Sequence, residues 1–143
     1  MSEKENEEVF RRLIEEGFNK GNLAVLDDLF TPNFTEHQDG FVPPNLEGVK
    51  GAIVSLRTPF PELRLTIEEI IASGDKTWAR ITARGKHQGP FMGQPPTGKP
   101  FAITVIDICR FENGLIVEHW GVADRLGLMG QLGLFPRPPQ GTA

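Results

Sequence analysis

Two apolar runs, Phe101–Phe111 and Leu115–Asp124, are separated by Glu112-Asn113-Gly114. Asn-Gly adopts the positive φ values of a two-residue type I′ turn with little strain, and the twist of that turn matches the strands it joins. A hairpin at this point is the strongest constraint on the fold. In it Glu112 opposes Leu115, and the pairing is expected to continue as Phe111 with Ile116, Cys109 with Glu118, Asp107 with Trp120 and Ile103 with Asp124. Side chains alternate along strands, so Asp107, Glu118, Trp120 and Asp124 should project from one face. His119, Arg110, Ile106 and Ile108 should project from the other.

Upstream of the hairpin the apolar period is helical. Val9, Phe10, Leu13, Ile14 and Phe18 recur at that spacing, and Ser2 with Glu5 has the form of a capping box, so a first helix is expected over roughly Glu3 to Lys20. Gly21 suits the residue just past its end. Asn22 can cap a second helix with Leu23, Leu26 and Phe30 on one side, which Pro32 prevents from continuing. Gln38–Asn45 reads as loop, and a third helix is expected from Leu46 to Arg57, ended by Thr58-Pro59-Phe60-Pro61. Alternation then takes over in Leu63–Glu68 and Trp78–Arg84, on either side of Ser73-Gly74-Asp75. Gly85–Pro100 is too rich in Gly and Pro for a central strand and long enough for a functional loop. Arg125–Leu134 reads as a short last helix, with a loosely held Pro-rich tail beyond it.

Helices first and strands afterwards, without βαβ alternation, argue for an α+β fold, a curved and mostly antiparallel sheet wrapped around N-terminal helices. The chain of 143 residues shows no repeat or linker, so a single domain is expected over residues 1–143, with its core at about 5–135.

Composition narrows the partners. Fifteen Lys and Arg against 19 Asp and Glu give a net charge of −4, which supplies no cationic excess for nucleic acid. Cys109 stands alone, which excludes an intrachain disulfide and any Cys-rich metal site. His37, His87 and His119 lack the spacing of compact metal motifs, so no metal is expected. No apolar run has the length of a membrane span, and the charged N-terminus lacks a secretory signal's apolar stretch. A cytoplasmic protein without membrane or nucleic-acid partners is expected.

The chemistry centres on carboxylates. Asp107 interrupts Ile103-Thr-Val-Ile-Asp-Ile-Cys109, where an ionised group must be paired, hydrated or shifted in pKa. It is a candidate acid or base, or else it pairs with Arg80 or Arg84 on the adjacent strand. Asp124 precedes the last helix and could instead be its N-cap. The outward residues Ile106, Ile108 and Val117 are too apolar for a solvated face, so a homodimer through that face is expected.

Taken in order, Asn33-Phe-Thr-Glu-His37, Phe60-Pro-Glu-Leu63, Arg84-Gly-Lys-His87-Gln-Gly89, Pro96-Thr-Gly-Lys99, Arg110-Phe-Glu-Asn-Gly-Leu-Ile-Val-Glu-His-Trp120 and Asp124 with Gln131-Leu-Gly133 resemble SnoaL-like polyketide cyclases. The resemblance implies a cone-shaped domain of the ketosteroid isomerase type around an apolar pocket. It also implies ring closure by intramolecular aldol condensation of a small apolar carbonyl compound, without metal or organic cofactor and with an aspartate as acid/base. By motif that aspartate is Asp124, with Asp107 the second candidate. His37, His87, Glu118 and Trp120 are the substrate-binding candidates. The chain has no Tyr, which disfavours the tyrosine-dependent isomerase, dehydratase and epoxide hydrolase chemistries of similar folds. The alternatives are a non-catalytic ligand-binding or dimerisation module and another hydrolase or hydratase in the same cavity.

Overall fold

The Ser2 hydroxyl accepts from the Glu5 amide at 3.1 Å and opens α1 (Glu3–Arg12), as the capping box requires. The computed structural model describes residues 2–135, so most of the Pro-rich tail lies outside the described residues. α1 passes without a break into a π-helical turn, Leu13–Phe18, in which the Asn19 amide donates to the Ile14 carbonyl at 2.9 Å. Such turns change the direction in which a helix presents its side chains. Here Leu13, Ile14 and Phe18 all line the central cavity.

The second helix is shorter than its apolar spacing predicts. A 3₁₀ turn, Leu23–Val25, leads into α2 (Leu26–Leu29), and Phe30 already begins β1 (Phe30–Glu36). Pro32 ends helical structure as expected yet sits within a strand. It is tolerated because β1 is an edge strand whose pairing is irregular between Phe30 and Thr35. After the loop, Asn45 Oδ1 accepts from the Gly48 amide at 3.2 Å and caps α3 (Leu46–Arg57).

The remaining elements are β2 (Arg64–Ser73), β3 (Lys76–Lys86), β4 (Pro100–Glu112), β5 (Leu115–Ala123) and α4 (Arg125–Leu132). The strands form one open sheet in the order β1-β5-β4-β3-β2, antiparallel throughout except for β1 beside β5. The helices pack on one face of it, where Phe10, Ile14, Leu26, Ile53, Phe60 and Ile81 are almost fully buried. Gly85 and Pro100, expected in the loop, belong to the paired ends of β3 and β4.

The β4–β5 hairpin starts as predicted and then departs. Asn113 and Gly114 have φ of 52° and 78°, and Glu112 faces Leu115 and Phe111 faces Ile116. Val117 is then an extra residue, so Arg110 faces Glu118, Cys109 faces His119, Ile108 faces Trp120 and Asp107 faces Gly121. This corrects the uninterrupted register. The cause is that Ile116 and Val117 are both buried, which regular alternation forbids and a β-bulge permits. A slip of one residue exchanges the faces. His119 therefore joins Asp107 on the helix-covered face, while Glu118 and Trp120 join Ile106, Ile108 and Arg110 outside. Val117, expected outside, is buried.

Candidate active site

The helices and the concave face of the sheet enclose a cavity of about 470 Å³. Its walls are mostly apolar, with Phe18, Phe30, Phe60, Phe91 and Phe101 among them. Polar groups are confined to Glu36, Gln38, Asp107, His119 and Arg125, together with the Cys109 thiol. An apolar cavity with a few converging polar groups is the usual form of a small-molecule site.

Three of these groups form a chain. His119 Nε2 meets Asp107 Oδ1 at 2.9 Å and its Nδ1 meets Glu36 Oε1 at 2.5 Å. The Gln38 amide donates to the same Glu36 oxygen at 3.0 Å. The parallel pairing of Glu36 with His119 brings the end of β1 here, and the bulge turns His119 inward. Burial opposes a charge on His119, but the Asp107 and Glu36 carboxylates outweigh it and push the imidazole up to about 10. At neutral pH both ring nitrogens therefore donate, and the group carries two negative charges and one positive. Burial first, and then the same carboxylates, raise the Cys109 thiol well above its ordinary range, which keeps it neutral.

Gly121 makes the cluster possible. A Cβ there would stand 2.6 Å from Asp107 Oδ1 and 2.9 Å from His119 Cε1, and it would collide with the Gln38 side chain. The absent side chain is the space in which these three groups approach one another. Among the described residues no set of three His, Cys, Asp or Glu side chains is arranged to hold a metal ion. Here the carboxylates are strung through an imidazole and do not converge on a common point.

The anticipated residues are divided between the cavity and other places. Asp107 is in the cavity and pairs with His119, whereas Arg80 faces outward and pairs with Glu69 at 2.9 Å. Asp124 does not line the cavity; it caps α4, accepting from the Gly127 amide at 2.8 Å. His37 and Trp120 stack outside the cavity with ring centroids 4.9 Å apart, and His37 Nε2 meets Glu118 Oε2 at 2.8 Å. The hydrogen bonds of Arg110 and His37, in that order, hold the Glu118 carboxyl below its usual range. His87 is fully buried and accepts from the Thr97 amide at 3.1 Å, beside the Phe60 and Phe91 rings, but it does not line the cavity. Glu36, Gln38, His119, Gly121 and Arg125 were not among the sequence candidates. The one local signal, bearing on His119 and Gly121 alone, was Leu115-Ile116-Val117, an apolar run too long for strict alternation.

The profile of the SnoaL-like polyketide cyclase family matches residues 8–132. Aklanonic acid methyl ester cyclase DauD of Streptomyces sp. (strain C5) is 29% identical over 141 residues, covering 94% of this chain and 85% of its own. Aklanonic acid methyl ester cyclase AcmA of Streptomyces galilaeus is 30% identical over 127 residues, covering 86% and 87% respectively. The solved structure of TsrD from Streptomyces laurentii superposes with a TM-score of 0.85 at 30% identity, covering 94% of this chain and 99% of that one. No helix among the described residues is long and apolar enough to cross a membrane.

Proposed function

Because the chain belongs to the SnoaL-like polyketide cyclase family, we propose that it closes a ring in a polyketide-like carbonyl compound by intramolecular aldol condensation, with Asp107 as acid/base. The observation that carries this reading is the Asp107–His119–Glu36 chain at the polar end of an otherwise apolar cavity. Asp107 removes a proton from carbon flanked by two carbonyl groups. The resulting enolate carbon attacks a ketone carbonyl of the same molecule, forming the carbon–carbon bond. The alkoxide takes the proton back from Asp107, so substrate and product are isomers and nothing else is consumed. His119, donating from both nitrogens, fixes the Asp107 carboxylate and stabilises its charge between the two transfers. The phenylalanine walls suit the flat, fused-ring body of such a substrate.

In this reading Asp124 is a positioning residue that holds α4 against the sheet, and its carboxylate takes no proton. Incubation with aklanonic acid methyl ester, the compound named for the relatives, tests the proposal by following ring closure spectrophotometrically. Turnover that disappears in Asp107→Asn and survives in Asp124→Asn is expected. The reverse pattern would return the acid/base to Asp124.

A second copy of the chain is proposed to cover the outer sheet face. Ile71, Trp78, Ile108 and Trp120 lie in one row across four strands, with Ile106 and Val122 in the next. Trp78 is 50% exposed and Val122 72%, a contiguous apolar patch that solvent does not favour. Light scattering should find a dimer at micromolar concentration, and Val122→Glu should yield monomer.

A further inference from the structure

Among the described residues Arg125 is the only Lys or Arg side chain on the cavity lining, and ring closure as proposed does not use it. It begins α4 and is exposed, as is Gly40 beside it on the lining, which places it at the cavity mouth. Its position is built. Nη2 donates to the Asp39 carbonyl at 2.7 Å, and the guanidinium lies against Gly40, where a Cβ would come 2.5 Å from Nη2. Gly40 also has a φ of +93°, so a side chain there would be strained as well as obstructive. No carboxylate among the described residues pairs with Arg125, so its other donors are available.

We propose that Arg125 is an anion subsite that selects substrates bearing a carboxylate on the apolar body, and orients them with that group at the mouth. The inference rests on the cyclase reading for its ligand body, but its charge argument is separate. Inside the cavity Glu36, Asp107 and protonated His119 sum to one negative charge, so an anionic group is repelled from the reacting end. At the mouth the planar guanidinium receives a carboxylate through paired donors. Gln38, beside Asp107, and Gly40, beneath Arg125, are two residues apart, a span of at most roughly 7 Å. Arg125 and Asp107 are thus approached by one short stretch of chain along the same lining, so a single ligand can contact both. A methyl ester offers the same site a neutral carbonyl, which gains much less from the charge.

The test uses two probes that cannot cyclise, anthraquinone-2-carboxylate and its methyl ester, titrated into the full-length protein by calorimetry at low ionic strength. The carboxylate should bind the wild type about tenfold more tightly than the ester. Arg125→Gln should weaken carboxylate binding about tenfold and change ester binding less than twofold, while Arg125→Lys should keep part of the preference. Thermal melting of both variants checks that this exposed residue leaves the fold intact. Equal binding of both probes to the wild type, a preference that survives Arg125→Gln, or no binding of either probe at millimolar concentration would overturn the subsite. Ring closure that survives Asp107→Asn would sink the acid/base assignment and leave the subsite standing.

Discussion

On each face of β5 a histidine meets a carboxylate at hydrogen-bond distance, His119 of β5 with Asp107 of β4 on the inner face and His37, just past β1, with Glu118 of β5 on the outer, and only the inner pair lines the cavity. His119 stands 2.9 Å from Asp107 and His37 stands 2.8 Å from Glu118. The inner imidazole is buried between two carboxylates and is pushed up to about 10. The outer pair is partly solvated, and Glu118 is shared with Arg110 at 2.6 Å. Distance alone does not separate them. Burial does, because water screens the outer charges while the apolar cavity leaves the inner ones few ways to be satisfied except by each other.

The contrast is open to direct attack. Its largest expected consequence is in turnover: Asp107→Asn should lower kcat by about 10²- to 10⁴-fold, whereas Glu118→Gln should stay within about twofold of wild type. Comparable losses from both would remove the distinction between the faces. Gly121→Ala comes next. The added methyl must displace the Gln38 side chain and crowd Asp107 and His119, and misplacement on that scale should cost about 10²-fold in kcat with the fold retained by circular dichroism.

Stability should respond to pH through the inner pair. His119 has a folded value of about 10 against an ordinary 6.5, so it stabilises the fold fully below about 6.5 and loses that contribution as pH rises through about 10. Urea midpoints measured across that window should fall steadily. In Glu36→Gln the fall should still begin near 6.5 but be smaller and end at lower pH, since one of the two carboxylates that raise His119 is gone. The smallest effect is local to α4. Asp124→Ala should cost about 1 kcal/mol of stability by removing the cap, and Asp124→Asn, which can still accept from the Gly127 amide, should be nearly silent. A flat urea midpoint for Asp124→Ala would show that the cap contributes little.

Those same residues show how much could be read without coordinates. Ser2 and the Asn113-Gly114 turn act through neighbours within a few residues, and each is found in the role its local chemistry dictates. The alternation in β2, β3 and β4 is likewise local, and it placed the sheet after the helices. Asp124 was legible as a cap for the same reason. Asp107 was legible as a carboxylate in an apolar strand, though its partner was not.

The site depended on contacts that no local pattern contains. Glu36 reaches His119 from 83 positions away, across the one parallel pairing of the sheet. His119 points inward only because Val117 is accommodated as an extra residue, and that choice is made by the packing that buries Ile116 and Val117 together. By itself, the sequence determined the succession of α1, α3 and the four antiparallel strands, the caps at Ser2 and Asp124 and the hairpin turn, but not β1, since propensity and hydrogen bonding act over a few residues. The tertiary structure alone decided which face each residue of β5 occupies, because a single bulge reverses every side chain beyond it and its cost is repaid only by long-range burial.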